Sequence, residues 1–301
     1  MTPRAPDWQV EGRDWPLRQY SRFLVRGALR WHVQVMGSGP PVLLLHGTGA
    51  GTHSFRDVMP LLAEHFQVLA PDLPGHAFTT AGPVFHPSIA GMSAALVDLL
   101  DAMGVAPEIV VAHSAGAAVM AHMTLEGLIR PRMLVGLAAA LVALRGPNVY
   151  LAPAVARLMA QSRLAAGVIS LQARNAQNVT RLVRSTGSIL DDRGVEFYRR
   201  LAMCPGHVAG VLAMLAAWDL APLEARLPRL ETPLLLLAGE RDGIIPLQHQ
   251  RRLARHTKNA RLRVVQRAGH LLHEERPAFI SQLLLQETAA GQPLGGSGVV
   301  H

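Results

Sequence analysis

Apolar positions recur along this chain with two periods, and the order in which the periods alternate predicts its elements. Residues 22–25 and 29–36 alternate apolar and polar side chains, as two antiparallel strands would, with Arg26-Gly27-Ala28 as the turn between them. Gly37-Ser38-Gly39-Pro40-Pro41 breaks the pattern. Residues 42–45 are then apolar at every position, which suits a strand covered on both faces, and they run straight into His46-Gly47-Thr48-Gly49-Ala50-Gly51. A helix is expected over 53–64 and a buried strand over 66–70 that ends in Pro71-Asp72-Leu73-Pro74-Gly75-His76. An amphipathic helix follows over 87–103, then strands near 109–113 and 133–137. Strand and helix alternating in this way predict an α/β fold, a doubly wound and mostly parallel sheet that binds ligands at the carboxyl ends of its strands.

Between 147 and 222 the rhythm changes to helical segments rich in Ala, Leu, Met and Arg, broken at Pro147, Pro153, Gly187 and Pro205-Gly206. That stretch reads as an inserted helical lid. The strand pattern resumes over 233–239 and 262–266, and a last helix is expected over 277–286. The expected organisation is a core of residues 1–146, beginning with a polar leader, and 223–288, with a lid at 147–222 and a Gly-rich, disordered tail at 289–301. No internal repeat is visible.

Composition narrows the classes. In 301 residues there is room for one large domain with an insertion. The mean hydropathy is +0.21, yet the longest apolar run, residues 133–144, falls short of the roughly 20 residues that span a bilayer. The charged, proline-containing start lacks the apolar segment of a signal peptide, so a cytoplasmic protein is expected. The single cysteine, Cys204, excludes an internal disulfide framework and multi-cysteine metal sites, and reads as a small core or lid residue. Net charge is +8, nearly all from arginine, with Lys258 the only lysine. No recognition helix, zinc finger or RNA-binding pattern accompanies it, so acidic ligands or lipid headgroups fit better than nucleic acid.

The candidate chemistry sits where buried strands end. Residues 109–116, I-V-V-A-H-S-A-G, lead at once into the helix-forming A-A-V-M-A-H-M: a strand, a sharp turn and a helix. Such a turn tolerates only small residues two positions either side of its apex, which Ala112 and Gly116 supply, and it would expose Ser114. A serine needs a base, and the base needs an acid to orient it. Asp242 follows the strand at 233–239 and His270 follows the strand at 262–266, in the chain order Ser, Asp, His. Taken alone, Asp242 also reads as the N-cap of a helix over 245–255, and Ser114 as part of an ordinary loop. The N–H groups of Thr48 and Ala115 complete an oxyanion hole. The Gly-rich loop lacks a Walker lysine and a ribose-binding acid, and no cofactor or metal site is expected. His46 and His113 read as structural neighbours of the site, and Asp72 as an organiser of its own loop.

These motifs resemble the α/β-hydrolase superfamily over residues 29–146 and 233–277. A narrower resemblance covers nearly the whole chain. D-W-P-L-R-Q-Y-S-R-F (14–23), L-R-W-H-V-Q-V-M-G-S-G-P (29–40), H-G-T-G-A-G-T-H-S-F-R-D (46–57), A-P-D-L-P-G-H (70–76), A-H-S-A-G-A-A (112–118), T-G-S (186–188), P-G-H-V-A (205–209) and W-D-L-A-P-L (218–223) are similar to the magnesium chelatase accessory protein family of bacteriochlorophyll synthesis. That resemblance implies a role around magnesium insertion into protoporphyrin, with a tetrapyrrole as candidate ligand, the chelatase subunits as candidate partners and the photosynthetic membrane as a peripheral contact. Ala112 stands where the superfamily most often has glycine. Serine rather than aspartate at 114 argues against dehalogenase or epoxide hydrolase chemistry. Two other functions suit the same residues: a catabolic hydrolase of an ester or of a ring-fission carbon–carbon bond, and a binding protein that keeps the pocket for recognition.

Overall fold

The computed structural model describes residues 4–82, 84–143, 159, 162, 164–289 and 298–300. Its strands are β1 (Ser21–Arg26), β2 (Leu29–Met36), β3 (Pro41–Leu45), β4 (Gln67–Pro71), β5 (Thr80–Ala81), β6 (Ile109–His113), β7 (Met133–Leu137), β8 (Leu234–Gly239), β9 (Ala260–Val265) and β10 (Gly298–Val300). They form one sheet in the order β1-β2-β4-β3-β6-β7-β8-β9-β10, with β5 on β2. Pairing is antiparallel among β1, β2 and β4, where Gly27 turns the first hairpin at φ 54°, and parallel from β4 through β9.

The continuous apolar runs exist because both faces of the sheet are covered. On one face Leu43, Leu45, Val110, Ala112, Leu134 and Leu236 pack with helices α2 (Ile89–Met103) and α3 (Gly116–Leu125). On the other, Val42, Leu44, Val111, Val135 and Leu237 pack with α1 (Val58–Ala63). Each such buried side chain stabilises the fold by roughly 1.5–3 kcal/mol. Ser88 caps α2 by accepting from Gly91 N–H at 3.1 Å, and Gly104 ends it at φ 66°.

The helix expected over 53–64 is shorter. Residues Thr52–Phe55 form a 3₁₀ turn and α1 starts only at Val58. Pro60 has no N–H to give to a preceding turn, so a helix begun at 53 would be interrupted there, whereas one begun at 58 carries Pro60 in its first turn.

Between β7 and β8 lie α4 (Ala165–Gln172), α5 (Ala176–Ser185), α6 (Asp192–Ala202), α7 (Pro205–Ala217) and α8 (Ala221–Arg226). Residues 147–158 of the expected insertion lie outside the described residues. α4 packs on α7 through Ala166, Val208 and Leu212. After β8 come α9 (Leu247–His256), α10 (Leu272–Glu275) and α11 (Pro277–Ala289). Of the tail expected to be disordered, Gly298–Val300 pairs in parallel with β9; Val299 and Val300 are β-branched and suit a strand, and composition alone hid that local signal among the glycines.

The leader is apolar where it matters. Trp15 is buried against Phe78 and Phe197, and Trp8 meets Phe23 and Phe78 edge-on. Arg200 of α6 pairs with Asp14 at 2.6 Å, so the leader ties the insertion to the core.

Candidate active site

Ser114 stands between the end of β6 and the start of α3 with φ 49°, a left-handed conformation that a serine adopts only when its surroundings hold it there. They do so on two sides: its N–H donates to Leu137 O at 2.9 Å and its carbonyl accepts from Ala140 N–H at 3.1 Å. A Cβ on Gly116 would lie 2.6 Å from His46 O and 2.7 Å from Leu45 O, and one on Gly47 would lie 2.9 Å from Ser114 Cβ. Glycine is therefore required at both positions. Ala112 is fully buried, and its methyl group fits the turn.

The structure brings the expected base and acid to this serine. His270 Nε2 lies 3.0 Å from Ser114 Oγ, and His270 Nδ1 lies 2.9 Å from Asp242 Oδ2. A carboxylate only accepts, so Nδ1 carries the proton and Nε2 is free to accept from the serine hydroxyl. Asp242 also accepts from Ile244 and Ile245 N–H, each at 2.8 Å on Oδ1. It thus bonds its own loop as well as the imidazole, but it does not cap the helix that follows, whose N-cap is Pro246. α9 begins two residues later than expected, at Leu247.

His113 Nε2 donates to the His270 carbonyl at 3.0 Å and steadies the base from below. His46 Nδ1 donates to Gly47 O at 2.8 Å while its Nε2 accepts from Leu73 N–H at 2.8 Å, so both ring nitrogens are committed to shaping the loop. Asp72 organises its surroundings as expected, accepting from Thr52 N–H (2.7 Å), Phe78 N–H (3.0 Å) and His32 Nδ1 (2.7 Å). The partnership with His32 carries no signal in the sequence, because the two are forty positions apart. Among the described residues the N–H groups of Thr48 and Ala115 meet no acceptor. Thr48 Oγ1 lies 3.9 Å from Met214 Sδ of α7, which brings the insertion over the loop.

Sequence reasoning missed a buried ionic group behind the base. Glu274 accepts from Arg56 and, at 2.6 Å, from Tyr198 of α6. Burial pushes its carboxyl up to about 7, against the pull of Arg56 and Tyr198. Among the described residues no three His, Cys, Asp or Glu side chains gather as a metal site would need. A groove of about 330 Å³ between the leader, β5 and α7, with Gly75, Thr79, His207 and Gly210 in its walls, has none of Ser114, Asp242 and His270 in its lining.

Of the eight arginines of the insertion, Arg199 pairs with Glu196 and Arg200 with Asp14, while Arg174, Arg181, Arg184 and Arg193 are exposed. Arg157 and Arg163 lie outside the described residues.

Several buried histidines are held neutral. Burial pushes His113 well below the ordinary value of 6.5, His207 down to about 4 and His273 down to about 3. The unfolded chain takes up protons near 6.5, and the fold refuses them until the pH is far lower, so stability is complete above that value and lost as pH falls through the window from 6.5 to about 4. His207 alone accounts for about 3 kcal/mol by the lower end, at 1.36 kcal/mol per unit. The urea midpoint is expected to be clearly lower at pH 5 than at pH 7; equal midpoints would show that these rings are not held neutral.

Residues 40–277 match the family model of the alpha/beta hydrolase fold. The chain is 35% identical over 287 residues, 95% of its own length and 98% of the relative's, to the magnesium-chelatase 30 kDa subunit of Rhodobacter capsulatus. It is 26% identical over 272 residues, 87% of the chain and 94% of the relative, to a 2-hydroxy-6-oxo-2,4-heptadienoate hydrolase of Pseudomonas putida. The solved structure of an alpha/beta hydrolase fold protein from Burkholderia ambifaria covers 89% of this chain and 97% of that one at TM-score 0.75 and 24% identity, a likeness in fold.

Proposed function

Because the chain belongs to the α/β-hydrolase family, we propose that it is a serine hydrolase whose working set is Ser114, His270 and Asp242, and that it serves as an accessory to magnesium chelatase in bacteriochlorophyll synthesis. The observation that carries the first half is the unbroken run of hydrogen bonds from Asp242 through His270 to a serine at φ 49°. In this reading His270 Nε2 takes the Oγ proton as the serine attacks a carbonyl carbon and later returns it to the leaving group. Asp242 keeps the imidazole in the one tautomer that can do both. The N–H groups of Thr48 and Ala115 receive the developing oxyanion, Ala115 standing at the N-terminus of α3 where the helix dipole adds to the pull. The insertion acts as the lid.

The second half rests on the relative from Rhodobacter capsulatus, whose likeness runs through the leader and the insertion as well as the core. The ligand class is then a tetrapyrrole, the partners are chelatase subunits, and the protein works in the cytoplasm at the surface of the photosynthetic membrane. The Pseudomonas putida relative favours a second reading, hydrolysis of a ring-fission product.

One experiment separates these. In a strain deleted for this gene, wild type is expected to restore pigment synthesis and Ser114→Ala to fail, and a fluorophosphonate probe is expected to label wild type at Ser114. Rescue by both genes would leave the chelatase role standing without hydrolysis. Labelling without any rescue would favour the catabolic reading.

A further inference from the structure

Where the insertion returns to the core, three residues lie between the loop that carries the acid and the loop that carries the base. Thr186 ends α5, Gly187 turns back at φ 80° and Ser188 is fully buried. The Thr186 carbonyl accepts from Gly243 N–H at 3.0 Å, next to Asp242, and from the N–H of His270 itself at 3.1 Å. Ser188 Oγ accepts from Leu271 N–H at 2.8 Å. Glu275 extends the contact, taking Ile189 N–H on Oε1 at 3.0 Å and Gly269 N–H on Oε2 at 2.7 Å. Three glycines let the backbones close up. A Cβ on Gly187 would fall 1.8 Å from Arg241 O, one on Gly243 would fall 2.4 Å from Ser185 O, and one on Gly269 would fall 2.3 Å from the Gly187 carbonyl carbon.

We infer that Thr186-Gly187-Ser188 is a positioning clip, a piece of the lid whose one carbonyl and one hydroxyl hold the loops of Asp242 and His270 against each other. The inference rests on the reading of Ser114, His270 and Asp242 as the working set. Its physical basis is that His270 sits on a short loop between β9 and α10, where His113 of β6 holds its carbonyl and the clip alone takes its N–H. The consecutive N–H groups of Gly269, His270 and Leu271 all end on the clip or on the carboxylate joined to it. None of these three donors is satisfied by the sheet. The lid therefore cannot lift at this end without freeing both catalytic loops. Substrate has to enter past another part of it, and a partner that pulls on α5 acts on the acid and base directly.

The test uses Ser188→Ala, which leaves the Leu271 N–H without its acceptor, with Ser185→Ala on the exposed face of α5 as the control. A small fluorophosphonate that makes no use of the lid reports on the serine. The low-field proton resonance of the His270–Asp242 hydrogen bond reports on the geometry whether or not the enzyme turns over. The clip predicts that Ser188→Ala slows labelling on the order of 10²-fold, the loss expected of a misplaced catalytic group, and displaces the low-field proton, while the thermal midpoint stays within a few degrees. Ser185→Ala changes none of these. Labelling at the wild-type rate with an unmoved proton would overturn the clip. If wild type itself fails to label, the hydrolase reading falls and the proton resonance alone decides the clip. Should Ser188→Ala not fold, Glu275→Gln, which keeps one of the two acceptors, is read the same way.

Discussion

If the proposed serine-hydrolase activity holds, replacing Ser114 by alanine is expected to lower the hydrolytic rate on the order of 10⁴-fold or more, and adding His270→Ala to it to lower the rate little further. The reason is in the geometry: the serine hydroxyl has one base, at 3.0 Å, and that base has one acid, at 2.9 Å. Without the serine the imidazole has no proton to take, and without the imidazole the serine has no base. Each removal thus destroys the same pathway, and losses from one pathway do not add. Asp242→Asn is the most informative single change. The amide keeps the side chain's shape but presents a donor to His270 Nδ1 in one of its two orientations, which favours the wrong tautomer and costs about 10⁴-fold in comparable sites. Measured free-energy losses that sum across the double variants would sink the assignment of the three residues to one unit.

The fold was legible because its signals are local. A strand that must be apolar on both faces shows it within five residues, as 42–45 and 234–237 do, and a helix with a serine cap and a glycine end marks its own limits, as Ser88 and Gly104 do. The turn at Ser114 was legible for the same reason, since its steric demands fall on Ala112 and Gly116, two positions away. The limits of α1 were readable and missed: Pro60 carried the information. β10 was hidden by composition.

His46, His113 and Asp72 were legible as supports of the site, but most of its other surroundings were not, and the reason is physical. Thr186 acts through its carbonyl, a group that every residue has, so nothing in its side chain announces the two hydrogen bonds it accepts. Glu274 and Glu275 lie before the helix expected over 277–286 and carry no motif of their own. Their roles depend on Arg56, Tyr198 and Ile189, between about 75 and 220 positions away in sequence and brought near only by the fold. His32 and Asp72 were likewise separate signals. The pairing of Arg200 in the insertion with Asp14 of the leader was hidden in the same way, the two being far apart in sequence.

Arg56→Leu is expected to destabilise the protein by up to about 3–5 kcal/mol at alkaline pH, where it breaks a buried ion pair by removing one partner. The Arg56 side chain is only 10% exposed and that of Glu274 only 1%, so the carboxyl left behind has little access to water. Burial already pushes Glu274 up to about 7 with Arg56 in place. Removing the guanidinium leaves Tyr198 as the remaining donor and drives the carboxyl higher still. The sign of the pH dependence follows. A carboxyl raised in the folded state favours folding while it is protonated and opposes it once the unfolded chain ionises. Wild type and variant lose stability in parallel up to about 7, where the wild-type carboxyl ionises, and the variant's charge deficit therefore grows as the pH rises above 7. At roughly 2–4 °C per kcal/mol, the thermal midpoint falls by about 10 °C at alkaline pH, where the wild-type carboxyl is ionised and the variant's is not. Arg56→Leu with Glu274→Gln should recover most of that loss, because the amide still accepts from Tyr198 but carries no charge to strand. A double variant no more stable than the single one at alkaline pH would mean that the stabilisation comes from the packing of the arginine stem against its neighbours, and the charge account of this group would have to be given up.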